Sequence, residues 1–217
     1  MDWTAYVDGY CERLAPGFWA EPLNAVSNLS FLVATVATWR LAGRSAHPRI
    51  TRTLSVLLGL IFLASSAFHT LATRWAGAAD TGFILVFVLF YAAAFTRLFL
   101  DVRWRYAWLA APAFLAVTVA FGLLGIGGTY LPALIGLFVF AGLLAASRRP
   151  EIRRWWPRFA VTGGVFGASL ALRTADHSVC GSFPPGTHFL WHLLNGLVLY
   201  LVSAAAALAP PPPRTSG

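Results

Sequence analysis

A few polar residues in otherwise apolar stretches have the types and spacing needed for chemistry. Ser65 and His69 lie four residues apart, as do His188 and His192, which places each pair on one face of a helix. Asp80 begins another apolar stretch. An ionisable group inside a membrane segment costs about 2.5–3.5 kcal/mol on insertion scales, so such residues need a partner or a function. We predict that three separate stretches bring these five residues to one site.

Three neutral imidazoles suit a catalytic zinc ion, because they leave its fourth position open to water. The predicted ligands are His69, His188 and His192. Zinc lowers the pKa of its bound water to about 7. Asp80 would take the proton of that water or hold the water by a hydrogen bond, and Ser65 would donate a hydrogen bond to the water or to an oxyanion formed on a carbonyl. Each motif alone has an ordinary alternative, since a single HxxxH pair is often incidental and a serine in a membrane helix usually bonds its own backbone.

The composition predicts that membrane helices position these residues. Of 217 residues, 58% are hydrophobic and 11% are charged, whereas a soluble domain has about 25% charged residues. A membrane helix needs about 20 apolar residues. The sequence predicts an all-α fold with seven such helices, at 23–43, 53–73, 80–100, 106–124, 129–147, 158–174 and 186–209. They would form one membrane domain over 1–209, with an N-terminal segment at 1–22 and a disordered Pro-rich tail at 210–217.

The basic residues indicate how the chain is oriented. The net charge is +8, but all 16 basic residues are arginines that cluster between apolar stretches, which is typical of topology signals and not of nucleic-acid binding. Thirteen fall on one side of the predicted bundle and three on the other: 40–52, 97–105, 148–158 and Arg214, against Arg13, Arg74 and Arg173. The N-terminus is therefore predicted to lie outside and the C-terminus in the cytoplasm.

The predicted topology also places the site and the cysteines. The five candidate residues lie towards the outer side, and so do Cys11 and Cys180. That compartment permits a disulfide between the two cysteines, with two free thiols as the alternative. Arginine as the sole basic residue and many alanines indicate a GC-rich bacterial genome. We therefore expect an inner-membrane protein with its site towards the extracytoplasmic side.

Four blocks of residues follow one another along the chain. They are Cys11-Glu12 followed by Ala20-Glu21-x-x-Asn24-x-x-Ser27-Asn28, then Ser65-x-x-Phe68-His69 with Asp80 eleven residues on, then Asp176-x-x-x-Cys180, and finally His188-x-x-Trp191-His192. In order and spacing they resemble the alkaline ceramidases, a family of seven-helix zinc amidases distantly related to adiponectin receptors. The resemblance implies the same zinc ligands and the same roles for Asp80 and Ser65, and it implies that the two cysteines are bonded.

The resemblance also implies a calcium ion close to the zinc. Its ligands would be the Tyr10 carbonyl and the carboxylates of Glu12 and Glu21. This chain departs from the family there, because Gly9 and Leu14 stand where an aspartate and an asparagine are expected. The spacing between the two glutamates is also short.

The predicted function is hydrolysis of the amide bond in ceramide or a related N-acyl lipid, giving a fatty acid and an amine. The substrate would carry a long acyl chain and enter from the bilayer. One alternative is a receptor-like or sensor protein with a structural or weakly hydrolytic zinc. Another is a transporter that uses the histidines and the aspartate as a proton relay, although the sequence contains no inverted repeat. The sequence does not determine the oligomeric state.

Overall fold

The computed structural model describes residues 2–211 and folds the apolar stretches of the chain into helices. The bounds are α1 Pro22–Ser27, α2 Leu29–Ala42, α3 Pro48–Leu71, α4 Arg74–Phe99, α5 Trp104–Ala107, α6 Ala110–Leu123, α7 Leu131–Ala145, α8 Pro150–Arg153, α9 Trp156–Val179 and α10 His188–Ala207. No β-strand occurs within these residues. The all-α prediction is confirmed. The tail predicted to be disordered lies, from residue 212 onwards, outside the described residues.

Proline sets several of the helix starts. It stands in the first two positions of α1, α3, α7 and α9. Proline suits that position because the first N–H groups of a helix have no partner within the helix and because its fixed φ is already helical.

Within residues 2–211, five helical segments are long and apolar enough to cross a membrane, by length and composition. They are Pro22–Ala42, Pro48–Leu71, Arg74–Phe99, Trp104–Leu123 and His188–Ala207. This agrees with the prediction of a membrane protein. The other two predicted spans do not reach the same standard: α7 has 15 residues, and α9 carries Arg158, Arg173 and Asp176 among its apolar residues.

The helices form a ring in chain order. The first four long helices, α2, α3, α4 and α6, pack side by side, and α7 packs on α9, which packs on α10. The last helix closes the ring, because α10 packs against α2 and α3 as well as α9. The start of α10 thereby lies close to the end of α3, although the two are more than a hundred residues apart in sequence.

Two predicted helix boundaries are wrong in ways that matter for the site. Helix α4 begins at Arg74, so Asp80 lies in its second turn and does not begin it. Helix α9 continues to Val179, past its predicted end at 174, so that Asp176 lies in its last turn. Hydropathy predicts the start of α4 too late and the end of α9 too early, because the outer turns of both helices contain polar residues and are still helical.

The N-terminal segment packs over the end of α3 that carries His69. The Val7 N–H donates to the Ala72 carbonyl at 2.8 Å, and the Arg74 N–H donates to the Ala5 carbonyl at 3.1 Å. Ala72 ends α3 in the left-handed conformation, with φ of 47°. The segment therefore covers the site that the next subsection describes.

Candidate metal centre

Two helix ends bring three histidines together. His69 lies in the last turn of α3, and His188 and His192 occupy the first turns of α10. One ring nitrogen from each lies within 4.8 Å of the others, and each residue is at most 2% exposed. Among the described residues, these three make up the group of histidine, cysteine and acidic side chains close enough to share a metal ion. The predicted convergence of the three imidazoles is confirmed.

The free nitrogens of the cluster fit a cation. His69 Nε2 and His188 Nδ1 are buried and have no hydrogen-bond partner in the described part of the chain. A buried polar atom without a partner costs about 1–3 kcal/mol. A divalent cation among the three rings would satisfy such atoms, since neutral imidazole is a good ligand for zinc.

The ring of His69 is oriented by a buried acidic group. Its Nδ1 lies 2.5 Å from Glu21 Oε2, and Asn24 donates to the same oxygen at 2.9 Å. The other oxygen, Oε1, accepts a hydrogen bond from the guanidinium of Arg13, which also donates to the His69 carbonyl at 3.0 Å. A carboxylate on one ring nitrogen leaves the other, Nε2, free to bind a metal.

The same contacts keep Glu21 ionised. Burial raises the pKa of its carboxyl, but the hydrogen bond and charge of His69 and the hydrogen bonds from Asn24 and Arg13 outweigh burial, so the net pKa lies below the usual value. Glu21 and Arg13 are each 3% exposed. Glu21 thus places a carboxylate next to the histidine, and Arg13 neutralises the charge of that carboxylate.

A hydroxyl orients His192 in the same way. Ser27 Oγ lies 2.8 Å from His192 Nδ1 and 2.9 Å from the Asn24 carbonyl. The hydroxyl has a single hydrogen, and the carbonyl can only accept it. Ser27 therefore accepts from the Nδ1–H of His192, which leaves Nε2 available as a ligand.

Stacking holds the third ring. Tyr10 lies against His188 with ring centroids 3.6 Å apart and planes 19° apart. The backbone N–H of His188 donates to Asp176 Oδ1 at 2.9 Å, as does that of Thr187 at 2.6 Å. Asp176 thus caps the N-terminus of α10 and fixes the position of its first histidine.

Asp80 and Ser65 lie beside the histidines, as predicted. Ser65 stands one turn before His69 and is 2% exposed, and its hydroxyl neighbours the Asp80 carboxyl. Asp80 Oδ1 is buried without a hydrogen-bond partner in the described residues. Asp80 and His188 line the same cleft. A carboxylate in that lining, next to the cluster, can take a proton from a bound molecule.

The residues predicted to bind calcium are occupied by groups of the protein. The Tyr10 carbonyl accepts from the Arg13 N–H at 3.1 Å. Glu12 accepts from the N–H groups of Leu23 and Asn24 at 2.6 and 2.8 Å, at the start of α1. Glu21 is bound to Arg13 and His69 as described above. Calcium binding at these residues stays a prediction from the resemblance.

Cys11 and Cys180 form a disulfide, as predicted. The bond joins positions 169 residues apart and ties the N-terminal segment to the end of α9. Asp176 reinforces the link, because its Oδ2 accepts from the Cys11 N–H at 3.0 Å. The disulfide and Asp176 together hold Tyr10 and Arg13 against the histidine cluster.

Loss of this disulfide should lower the melting temperature by several degrees. A disulfide typically contributes about 2–4 kcal/mol, and Cys180→Ser removes it. The measurement is thermal unfolding in detergent with and without reductant. Since the chain has two cysteines, reductant should bring the native protein down to the variant and leave the variant unchanged. A native protein that keeps its melting temperature when fully reduced would contradict this role.

The sequence did not predict the roles of several residues that support the site. Glu21 was assigned to calcium, but it binds His69, which lies 48 residues away. Arg13 was counted as a topology signal and is instead buried against Glu21. Ser27 had no assigned role. No local spacing connects these residues with the histidines. The one available signal was that Arg13 and Glu21 lie close together in a short, mostly uncharged segment, which predicts an ion pair.

Glu21→Gln should weaken zinc binding about 10- to 100-fold, the usual effect of losing a partner of a metal-bound histidine. Glutamine keeps the shape but not the charge that orients the Nδ1–H of His69. A matched control is Glu12→Gln, whose carboxylate caps α1. That variant should lose thermal stability and keep its zinc affinity. Chelator competition gives the affinities, and equal weakening in both variants would rule out a specific role for Glu21.

Comparison with known proteins gives no assignment: no protein family, curated protein or solved structure matches the chain significantly. The fold and the site by themselves define an all-helical protein with five helices suited to a membrane and a buried cluster of three histidines.

Proposed function

We propose that the chain is a membrane-embedded, zinc-dependent hydrolase that cleaves the amide bond of ceramide or a related N-acyl lipid. The observation that carries the proposal is the buried cluster of His69, His188 and His192, with Asp80 in the adjoining cleft. One carboxylate oxygen of Asp80 has no hydrogen-bond partner among the described residues. A closed structural zinc site has four protein ligands and needs no free acid–base group. This site has three imidazoles and such a group.

An apolar cavity next to the cleft supports a lipid substrate. It is lined by side chains of α4, α6, α7, α9 and α10 such as Phe87, Phe114, Phe140 and Phe166. Tyr130 lines both this cavity and the cleft with Asp80 and His188. In the proposed complex the acyl chain occupies the cavity, and the amide lies in the cleft.

In this reaction zinc supplies a Lewis acid and a water molecule that is acidic at neutral pH. The three histidines hold the ion, with Glu21 and Ser27 fixing two of the rings. Asp80 accepts the proton of the attacking water, and Ser65 donates a hydrogen bond to the oxygen that gains negative charge. The water oxygen bonds to the acyl carbon, the C–N bond breaks, and the proton passes from Asp80 to the leaving nitrogen. The products are a fatty acid and an amine.

The proposal includes the finer topology. All seven helical segments cross the membrane, with α7 and α9 completing the ring that the five more apolar spans begin. The N-terminus and the metal centre lie on the extracytoplasmic side of a bacterial inner membrane, which the distribution of arginines and the disulfide support.

Metal analysis together with a hydrolysis assay tests the function. The purified protein is expected to contain about one zinc per chain and to release fatty acid from at least one member of a panel of N-acyl lipids. Chelation should stop turnover, and added zinc should restore it. Zinc without turnover on any amide would favour the receptor-like alternative, and a protein that does not bind zinc would exclude both.

A further inference from the structure

A cationic side chain lines the same cleft as the metal centre and has no acidic partner. Arg173 of α9 shares the cleft with Asp80 and His188. Its guanidinium carbon lies 4.9 Å from the ring centroid of Tyr130 and 5.7 Å from that of Trp191. Within residues 2–211 its nitrogens come within 4.0 Å of no carboxylate. By contrast, the other arginine at the site, Arg13, is fully paired with Glu21.

Two aromatic rings lie next to the guanidinium of Arg173 and hold the side chain in place. In the part of the chain that the structure describes, no carboxylate pairs with its five N–H donors. A planar fork of free donors is suited to bidentate binding of a carboxylate or a phosphate.

The charges around the cleft also favour an anion. The charged residues of the lining are Asp80 and Arg173, which balance each other. Glu21 is neutralised by Arg13, and His177 stands at the exposed edge. A divalent cation on the histidines would leave the cleft with a net positive charge. A neutral ceramide head group would not compensate that charge.

The position of Arg173 indicates which part of the substrate it meets. Tyr130 lies where the apolar cavity and the cleft adjoin, and Arg173 packs on that tyrosine and lines the cleft, not the cavity. With the acyl chain in the cavity, the group that enters the cleft beyond the amide is the amine part of the substrate.

We propose that Arg173 binds an anionic group on the amine part of the substrate, so that the preferred substrates are N-acyl amines bearing a carboxylate, sulfonate or phosphate close to the amide. This inference rests on the proposed amidase function. Arg173 is a specificity determinant: it selects among N-acyl lipids and takes no part in the proton transfers of the reaction.

Matched amides test the proposal. The substrates are N-palmitoylglycine and N-palmitoyltaurine as anions and N-palmitoylethanolamine as the neutral counterpart. We expect the zinc-loaded protein to prefer the anions about tenfold or more, the effect of a hydrogen bond to a charged group. Arg173→Gln should remove the preference by raising KM for the anionic substrates about tenfold more than for the neutral one, and Arg173→Lys should retain part of the preference. Arg74→Gln, an exposed arginine at the start of α4, is the control for net charge and should behave as the native protein.

A binding measurement separates this inference from the hydrolase function. Metal-free protein in neutral detergent is titrated with N-palmitoylglycine and with N-palmitoylethanolamine. Tighter binding of the anion in the native protein, lost in Arg173→Gln, supports the proposal even if no amide is cleaved. A failure to cleave any amide would overturn the amidase function and not the role of Arg173. Equal binding and turnover of anionic and neutral amides, or equal losses for both in Arg173→Gln, would overturn the role of Arg173. Arg173→Gln could weaken inhibition by palmitate and change no preference among the amides. That result would assign Arg173 to the fatty-acid product and would also overturn the proposal.

Discussion

Replacement of His192 by alanine is expected to abolish lipid hydrolysis and to reduce zinc affinity about a hundredfold to a thousandfold. The binding free energy of a four-ligand zinc site is about 10–16 kcal/mol, so one ligand accounts for about a quarter of it, which corresponds to that change in affinity. His192 contributes to the cluster from the second turn of α10, and its Nδ1 is held by Ser27. No other histidine lies close enough to replace it in the described structure.

His47→Ala is the matched control for this prediction. His47 precedes α3 and contacts the Pro210 carbonyl at 3.1 Å, away from the cluster. The His47→Ala variant should keep its zinc and its rate of lipid hydrolysis. Zinc content is measured by elemental analysis after dialysis, affinity by chelator competition, and turnover by fatty-acid release. Full zinc content and turnover in His192→Ala would end the proposed mechanism.

Asp80→Asn is expected to lower kcat about 10²- to 10⁴-fold, the usual contribution of a general acid–base group, with zinc still bound. Asparagine keeps the size of the side chain and its contact with Ser65 but has no basic oxygen for the proton of the water. Because Asp80 is not one of the three imidazole ligands, its loss should leave the zinc affinity nearly unchanged. The expected change is therefore in kcat and not in KM or metal content.

Asp101→Asn provides the control at the opposite end of the same helix. Asp101 follows α4 with φ of 57° and pairs with Arg97 at 2.9 Å on the surface. Asparagine tolerates that left-handed backbone, so the variant should fold and turn over normally. The two variants are compared by pre-steady-state and steady-state release of fatty acid together with zinc analysis. If Asp80→Asn loses its zinc, Asp80 is a ligand and not the base.

The sequence by itself determined the features that depend on local spacing and composition. A spacing of four residues places His188 and His192 on one helix face whatever the helix packs against, and the structure keeps that arrangement. High hydropathy and low charge likewise require helices, because a chain in lipid must satisfy its backbone polar groups internally. The sequence did not determine the number of spans, since α7 is short and α9 carries charged residues near both of its ends.

Only the tertiary structure decided which residues support the metal centre. Glu21 contacts His69, 48 positions along the chain, and Arg13 contacts the carbonyl of the same residue, 56 positions along. Asp176 caps α10 at His188, 12 positions along. Arg173 likewise became a candidate for substrate recognition only when its packing on Tyr130 and Trp191 was known. Such pairings arise when the N-terminal segment packs over the end of α3 and when α9 packs against α7 and α10. A periodic pattern specifies the face of one helix, whereas the partner of that face depends on how all the helices pack.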